Sequence, residues 1–150
     1  MINVQIADPF QGLVGPQMIT RAVQETLNHL KKTAVAEITI LITSDEHLHQ
    51  LNRQYRKVDA PTDVLSFPNN ETDPDSGMFY LGDVVISYPR AQEQAQAGRH
   101  KLEEEIQLLV VHGVLHLLGR DHVEDEEKSQ MWATQAEILK QLGCSLTPPR

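Results

Sequence analysis

The segment of residues 102–118 constrains the fold most strongly, because it has the apolar pattern of a long core helix. Its apolar and small residues recur at helical spacing along one broad stripe: Ile106, Leu109, Val110, Gly113 and Leu117. Gly119 follows directly, and glycine adopts the left-handed conformation that closes a helix at little energetic cost. The sequence therefore predicts a helix over residues 102–118 that ends at Gly119.

The remaining segments alternate between strand and helix patterns. Strands are predicted where apolar residues alternate or β-branched residues cluster, at residues 3–7, 36–43, 63–67 and 79–88. Further helices are predicted from Pro16 to Leu30, after the N-cap candidate Ser44, from Pro89 until Gly98 ends the helix, and over residues 124–142 before Gly143. Residues 68–77, rich in Asn, Asp and Pro, are predicted to form an exposed loop. These elements predict an α+β fold with a single mixed β-sheet of about four strands and about five helices, in one domain over residues 1–150.

Composition favours a soluble protein of a reducing compartment. The chain has no run of about 18 apolar residues, and its first residues lack the basic start and long apolar stretch of an export signal. Cys144 is the only cysteine, which excludes an internal disulfide and a cysteine-based zinc site. We expect a cytoplasmic protein with no membrane partner.

Net charge limits the binding partners. The chain has 13 Lys and Arg against 21 Asp and Glu, and this formal charge of −8 argues against tight, sequence-independent binding of nucleic acid. The acids concentrate at residues 103–105 and 124–127, which we interpret as solvated helix faces. Arg53, Arg56 and Lys57 cluster elsewhere, so a local basic patch for substrate binding stays open.

Three histidines form a candidate metal site. His112 and His116 are four residues apart on the predicted helix, so their rings lie about 40° apart in azimuth and one turn apart in height. Gly119 allows the chain to reverse and to bring His122 toward the same ion. Three imidazoles leave a fourth position for water, the ligand count of a catalytic zinc site. The pattern predicts one Zn²⁺ per chain, although imidazole also suits nickel.

The spacing of these histidines is that of a zincin-like metal helix. It matches the metzincin peptidase pattern H-E-x-x-H-x-x-G-x-x-H, except that Gly113 stands where those enzymes have a Glu. That Glu takes a proton from the metal-bound water, so peptide hydrolysis loses its usual base here. RNA cleavage is less affected, because the 2′-hydroxyl supplies a nucleophile. A zinc peptidase remains an alternative.

Over nearly its whole length the sequence resembles the YbeY family of endoribonucleases, also known as rRNA maturation factors. The family's metal motif, H-G-x-L-H-L-x-G-x-D-H, stands without departure at residues 112–122. A second signature, L-N-x-x-Y-R-x-x-D-x-P-T-D-V-L-S-F-P, stands at residues 51–68. Residues 81–87 resemble the family's L-G-D-I-x-I-S strand, and Glu127 and Met131 match the helix after the third histidine.

This resemblance implies a zinc-dependent endoribonuclease, specific for single-stranded RNA, that acts in 16S rRNA maturation and ribosome quality control. It implies single-stranded rRNA, small-subunit ribosomal proteins and an Era-type GTPase as partners, and a catalytic role for Arg56. Since a guanidinium can grip a phosphate with two parallel hydrogen bonds, Arg56 beside the metal would stabilise transition-state charge. A surface salt bridge is the plainer interpretation of Arg56. A ribosome-assembly factor with a mainly structural zinc is a further alternative function.

Other polar residues have plainer interpretations. Asp121 either orients a histidine ligand or occupies a turn. Asp59 and Asp63 are interpreted as turn or capping residues rather than a general base, and Met131 and Trp132 are expected to pack in the core or beneath the metal. Four histidines have no partner at ligand spacing and are expected to face solvent: His29, His47, His49 and His100.

Overall fold

The computed structural model describes residues 1–32, 36–119, 124–144 and 146. Its strands and helices follow in the order β1 (Ile2–Ile6), α1 (Pro16–His29), β2 (Ala36–Thr43), α2 (Asp45–Arg56), β3 (Val64–Thr72), β4 (Phe79–Ser87), α3 (Tyr88–Gly98), α4 (Leu102–Leu117) and α5 (Asp125–Gln141). All nine elements predicted from the sequence are present, so the α+β fold class is confirmed. No helix within the described ranges is long and apolar enough to cross a membrane.

The four strands form one mixed sheet in the order β1-β2-β4-β3. β1 pairs with β2 and β2 with β4 in parallel, whereas β3 runs antiparallel to β4. Ile38, Ile40 and Ile42 point to one face, where residues of α1, α3, α4 and α5 form the main core. The alternate residue Leu41 points to the other face, which α2 covers through Leu48. The four helices and α2 therefore lie on opposite faces of the sheet.

The predicted loop at residues 68–77 is wrong in its first half, because β3 continues to Thr72. Since β3 is an edge strand, the missing N–H of Pro68 is tolerated there. The pairing of β3 with β4 shifts register between Pro68 and Glu71, where Asn70 has a φ of 57°. The predicted exposure is confirmed, because every residue from 68 to 77 is exposed.

Helix ends follow the predicted signals except at α3. The Ser44 side chain accepts a hydrogen bond from the backbone N–H of His47 at 3.1 Å and caps α2. Gly119 follows α4 with a φ of 88°, the left-handed conformation predicted for it. At α3 the prediction is wrong by one residue, because Gly98 remains helical and Arg99 takes the positive φ of 58°. The small size of Gly98 leaves room for the His100 ring, since a Cβ there would lie 2.6 Å from Cε1 of that ring.

His100 and Glu105 form a buried pair that the sequence analysis did not anticipate. Their side chains are 9% and 0% exposed, and Nε2 of His100 lies 2.6 Å from Oε1 of Glu105. The expected solvent exposure is therefore wrong for His100, and the interpretation of residues 103–105 as a solvated face is wrong for Glu105. The pairing explains the burial, because a carboxylate removed from water needs a hydrogen-bonded partner. His29, His47 and His49 are half-buried.

Helix α4 packs unusually close to the sheet at Gly113. A Cβ at this position would lie 2.5 Å from Cγ1 of Val84 and 3.3 Å from Oγ of Ser66. The Ser66 hydroxyl also donates to the backbone carbonyl of Gly113 at 2.9 Å. Because Val84 is fully buried and has a single side-chain torsion, it cannot move aside easily. Any residue larger than glycine would push α4 away from the sheet.

We expect Gly113→Ala to lower the free energy of unfolding by up to about 2 kcal/mol, because an overpacking cost of about 1–3 kcal/mol, toward its upper end for a contact of 2.5 Å, outweighs the roughly 1 kcal/mol gained in helix propensity. Urea denaturation in two backgrounds tests this. In Val84→Ala protein the same substitution should be neutral or stabilising. Gly15→Ala, where a Cβ meets nothing within 4 Å, is the control, and its small cost at the N-cap of α1 should be the same in both backgrounds. An equal loss in both backgrounds would contradict this account of the contact.

A charged network fixes α2 on its face of the sheet. The Arg90 guanidinium donates to both carboxylate oxygens of Asp45, at 3.0 and 3.1 Å. The Ser87 hydroxyl donates to Asp45 as well, at 3.0 Å. The hydrogen bond from Arg90 holds the pKa of the Asp45 carboxyl below its ordinary value of 3.8. The network therefore joins the first turn of α2 to the start of α3.

Because the pKa of Asp45 is lower in the folded state than in the unfolded state, its ionised form stabilises the protein above about pH 4, and this stabilisation is lost as the pH falls further. We expect Asp45→Asn to be less stable than the wild type at neutral pH, with a difference that shrinks below about pH 4. Urea denaturation over a pH series measures this. Asp75→Asn, in the exposed loop between β3 and β4, should show no such acid-dependent difference. A difference for Asp45→Asn that stays constant in acid would disprove the assignment.

Candidate functional site

Helix α4 brings two histidine rings together at its C-terminal end. The ring centroids of His112 and His116 lie 4.7 Å apart with planes at 74°. Their Nε2 atoms are 3.1 Å apart. Two nitrogens that each ligate a tetrahedral zinc at about 2.05 Å are separated by about 3.3 Å. The two nitrogens therefore have the separation needed to bind one metal ion.

The His112 ring is held from behind by α5. Its Nδ1 lies 2.9 Å from Oε1 of Gln135, a side chain only 2% exposed. An amide oxygen accepts but cannot donate, so Nδ1 carries the proton and the Nε2 lone pair points toward His116. Trp132 lies beneath the same ring, with centroids 5.8 Å apart, and Met131 is fully buried in the core. The expected packing roles of Trp132 and Met131 are confirmed.

Arg56, the last residue of α2, reaches the same place from the other side. A cavity of about 540 Å³ is lined by Arg56, His112 and His116 together. Nη2 of Arg56 donates to the backbone carbonyl of Ser66 at 3.3 Å, so its hydrogen bond within the described ranges is to a carbonyl and not to a carboxylate. Among the described residues, the surface salt bridge considered for Arg56 is therefore not found. Arg56 is an exposed residue and borders the cavity that contains the histidines.

The chain segment after α2 is tied down, which fixes the position of Arg56. The Asn52 side chain donates to the carbonyl of Ala60 at 2.9 Å. The backbone carbonyl of Asn52 accepts from the N–H of Val58 at 3.3 Å, across the left-handed residue Lys57 with its φ of 62°. Asn52 is buried and lines the cavity as well. The turn that follows Arg56 is therefore held by side-chain and backbone bonds.

Of the other candidate residues, two lie outside this cavity and two fall outside the described residues. Arg53 and Lys57 are exposed and are not among the residues that line this cavity. His122 and Asp121 lie outside the described residues. Among residues 1–32, 36–119, 124–144 and 146, a set that lacks His122, no group of three His, Cys, Asp or Glu side chains is placed to hold a metal ion.

Two polar residues of the site were not recognised from the sequence. Asp63, interpreted as a turn residue, lines the cavity beside His112, and its carboxylate accepts from Nε2 of Gln94 at 3.3 Å. Its position just before β3 in the second signature was the available signal. Gln135 had no signal, because a glutamine inside an amphipathic helix has no distinctive spacing. Only the docking of α5 shows its contact with His112.

Comparisons with known proteins agree with this architecture. The family model described as Endoribonuclease YbeY matches residues 13–143. An Endoribonuclease YbeY from Shouchella clausii is 41% identical, with 95% of this chain and 96% of the relative covered. One from Roseiflexus sp. is 42% identical, with 96% and 94% covered. The solution structure of TM1509 from Thermotoga maritima superposes with a TM-score of 0.62 at 26% identity, covering 95% of this chain and 89% of that protein. The chain belongs to the YbeY family of endoribonucleases.

Proposed function

We propose that this protein is a zinc-dependent endoribonuclease that cleaves single-stranded RNA in the cytoplasm, in 16S rRNA maturation and ribosome quality control. One observation carries the proposal: a single cavity of about 540 Å³ is lined by an arginine and by two histidines whose Nε2 atoms converge. An arginine suits a phosphate, and paired imidazoles suit a metal. Such a cavity has the components needed to act on a phosphodiester.

The metal is proposed to bind His112 and His116, with His122 as the third ligand. The two described Nε2 atoms have a suitable separation, and the hydrogen bond of Gln135 to Nδ1 of His112 leaves Nε2 available as a ligand. A bound Zn²⁺ would supply Lewis acidity toward a phosphoryl oxygen. Nickel would fit the same imidazoles, and metal analysis of the purified protein distinguishes the two.

The protein side chains position the phosphodiester and its protons. In this mechanism Arg56 exchanges its hydrogen bond to the Ser66 carbonyl for two hydrogen bonds to the phosphate, and stabilises the charge that develops there. Asp63 lies in the same cavity with its carboxylate oriented by Gln94. It is placed to accept a hydrogen bond from a substrate hydroxyl.

The close packing of Gly113 argues against the alternative of a zinc peptidase. A glutamate at this position would place its Cβ 2.5 Å from Cγ1 of Val84. The missing base could therefore not be restored without moving α4. Metal-dependent hydrolysis of a peptide library by the wild type would be the result that revives the peptidase.

Partners of the protein are proposed on chemical grounds. A net charge of −8 disfavours sequence-independent binding of RNA, so contact with small-subunit ribosomal proteins and an Era-type GTPase would help to deliver the rRNA. Arg53 and Lys57, exposed near Arg56 but outside the cavity, are proposed to contact RNA phosphates beyond the scissile one. Their removal should raise KM more than it lowers kcat.

We expect Arg56→Ala to lower kcat on single-stranded RNA by about 10²–10³, because a preorganised donor to transition-state charge is removed. Cleavage of a labelled oligonucleotide by protein with a measured zinc content tests this. Arg56→Lys should recover only part of the rate, since an ammonium cannot make the bidentate contact. Arg21→Ala, on α1, is the control. Full activity after His112 and His116 are both replaced by Ala would reject this site.

A mainly structural zinc predicts a different outcome of the same experiment. In that case the histidine variants would lose thermal stability but still support maturation of the small ribosomal subunit. Arg56→Ala would not change the rate of RNA cleavage. The Arg56→Ala variant therefore distinguishes the hypothesis of an enzyme from that of an assembly factor.

We expect Gln135→Leu to weaken zinc binding about 10- to 100-fold, because the acceptor that fixes the His112 ring is lost while the side-chain volume is nearly kept. Competition with a chromogenic chelator measures the affinity without any substrate. Gln135→Glu keeps an acceptor oxygen and should bind zinc nearly as well as the wild type. Gln130→Leu, on the exposed part of the same helix, is the control. Unchanged affinity in Gln135→Leu would show that the contact does not position the ligand.

A further inference from the structure

A second cavity of about 540 Å³ lies on the opposite face of the sheet, beside α2. Three aromatic side chains line it: Tyr55, Phe67 and Tyr80. Thr39, His47 and Asp83 add polar groups. Among the described residues that line this cavity there is no lysine or arginine. The cavity is therefore suited to a flat, uncharged group with polar edges and not to a phosphate.

The two cavities share one wall, formed by the end of α2 and by β3. Tyr55 and Arg56 are consecutive, yet Tyr55 lines the second cavity and Arg56 the histidine cavity. Ser66 and Phe67 are also consecutive and divide in the same way, because successive strand residues point to opposite faces. At this wall, side chains of consecutive protein residues therefore line the two cavities, so an RNA strand bound across it would contact both.

Tyr55 is a large aromatic residue that remains mostly exposed although it contacts Phe67. It is 61% exposed, and its ring meets Phe67 edge-on at 5.5 Å and 69°. The large apolar side chains exposed in the described ranges are Met1, Leu13, Tyr55 and Val58. Two of these flank Arg56, with Val58 on the side of the histidines and Tyr55 on the side of the second cavity. An open aromatic face beside a phosphate-binding arginine suits the stacking of a nucleobase.

Hydrogen-bonding groups lie deeper in the cavity. The Tyr80 hydroxyl contacts Oγ1 of Thr39 at 2.9 Å and donates to the Asp83 carboxylate. Burial, with a smaller contribution from the Asp83 bond, raises the pKa of Tyr80, so the phenol remains a donor. One carboxylate accepts several hydrogen bonds, and an exocyclic amino group of a base is a suitable donor to it.

We propose that this second cavity is a nucleobase subsite of the same RNA-binding surface. A base next to the scissile phosphate stacks on Tyr55 and Phe67 and donates its amino group to Asp83, while Arg56 holds the phosphate. The subsite rests on the proposed function in one respect, that the substrate is single-stranded RNA. It adds a preference for adenine, guanine or cytosine over uracil at one position of the strand.

The test measures binding without cleavage. Wild type treated with a chelator is titrated with eight-nucleotide single-stranded RNAs that carry 2-aminopurine or an abasic site at each position in turn. At one position the 2-aminopurine fluorescence should be quenched by stacking, and the abasic site should weaken binding about 5- to 100-fold. Tyr55→Ala should show the same loss with intact RNA, and no further loss with the abasic strand. Tyr55→Phe should behave as wild type, and so should Leu13→Ala, an equally exposed apolar residue on another part of the surface.

Two outcomes would overturn the subsite. One is unchanged RNA affinity in Tyr55→Ala. The other is an affinity loss from Tyr55→Ala that adds to the loss from the abasic site at every position of the strand. That result would assign this face to another occupant, such as a basic protein segment. The binding test does not require catalysis. If Tyr55→Ala causes no further loss with the abasic strand in a protein that fails to cleave RNA, the subsite is supported and only the proposed activity is rejected.

Discussion

The contact between α4 and the sheet at Gly113 determines the rest of the site. A helix with a side chain at this position would lie farther from Val84, and the two histidines one residue before and three after would move with it. The bond from Ser66 to the Gly113 carbonyl connects this contact to β3. The neighbouring carbonyl of Ser66 itself accepts from Arg56. One close helix–sheet contact therefore sets the distance between the arginine and the histidines.

This arrangement explains why the motif resembles that of zinc peptidases and differs in chemistry. In both patterns two histidines share one face of a helix. Here Gly113, the residue after the first histidine, faces the sheet. The position that holds a glutamate in the peptidases is therefore used for helix–sheet packing. The polar residues of the cavity come instead from the other side, from the end of α2 and the start of β3. A substrate that supplies its own nucleophile is consistent with that division.

Features encoded locally were predictable from the sequence, and features that depend on docking were not. The helix stop at Gly119, the Ser44 cap and the strands follow from backbone preferences and periodicity. The extension of β3 was missed because pairing with β4 overrides the turn-forming residues near Pro68. The pair His100–Glu105 was missed because burial of a polar side chain depends on a hydrogen-bond partner brought by the fold.

The same distinction applies within the site. The spacing of His112 and His116 is a property of one helix, so the convergence of their nitrogens was predictable. The family signature pointed to Arg56, and the structure shows that it reaches the same cavity. Gln135 and Asp63 are defined by contacts between separate elements. Asp63 at least stands within the second signature, whereas nothing in the local sequence distinguishes Gln135.

The hydrogen bond between His112 and Gln135 also makes the geometry of the site depend on core residues of α5. Gln135 reaches the ring only because α5 is seated by Met131, Ile138 and Leu139, all fully buried. A displacement of about 1 Å can lower a rate by about 10²-fold, even when the altered residue touches no reactant. Natural selection would therefore act on substitutions at these three side chains through the alignment of the His112 ring as well as through folding. The sequence at these positions should change more slowly than their burial alone would require.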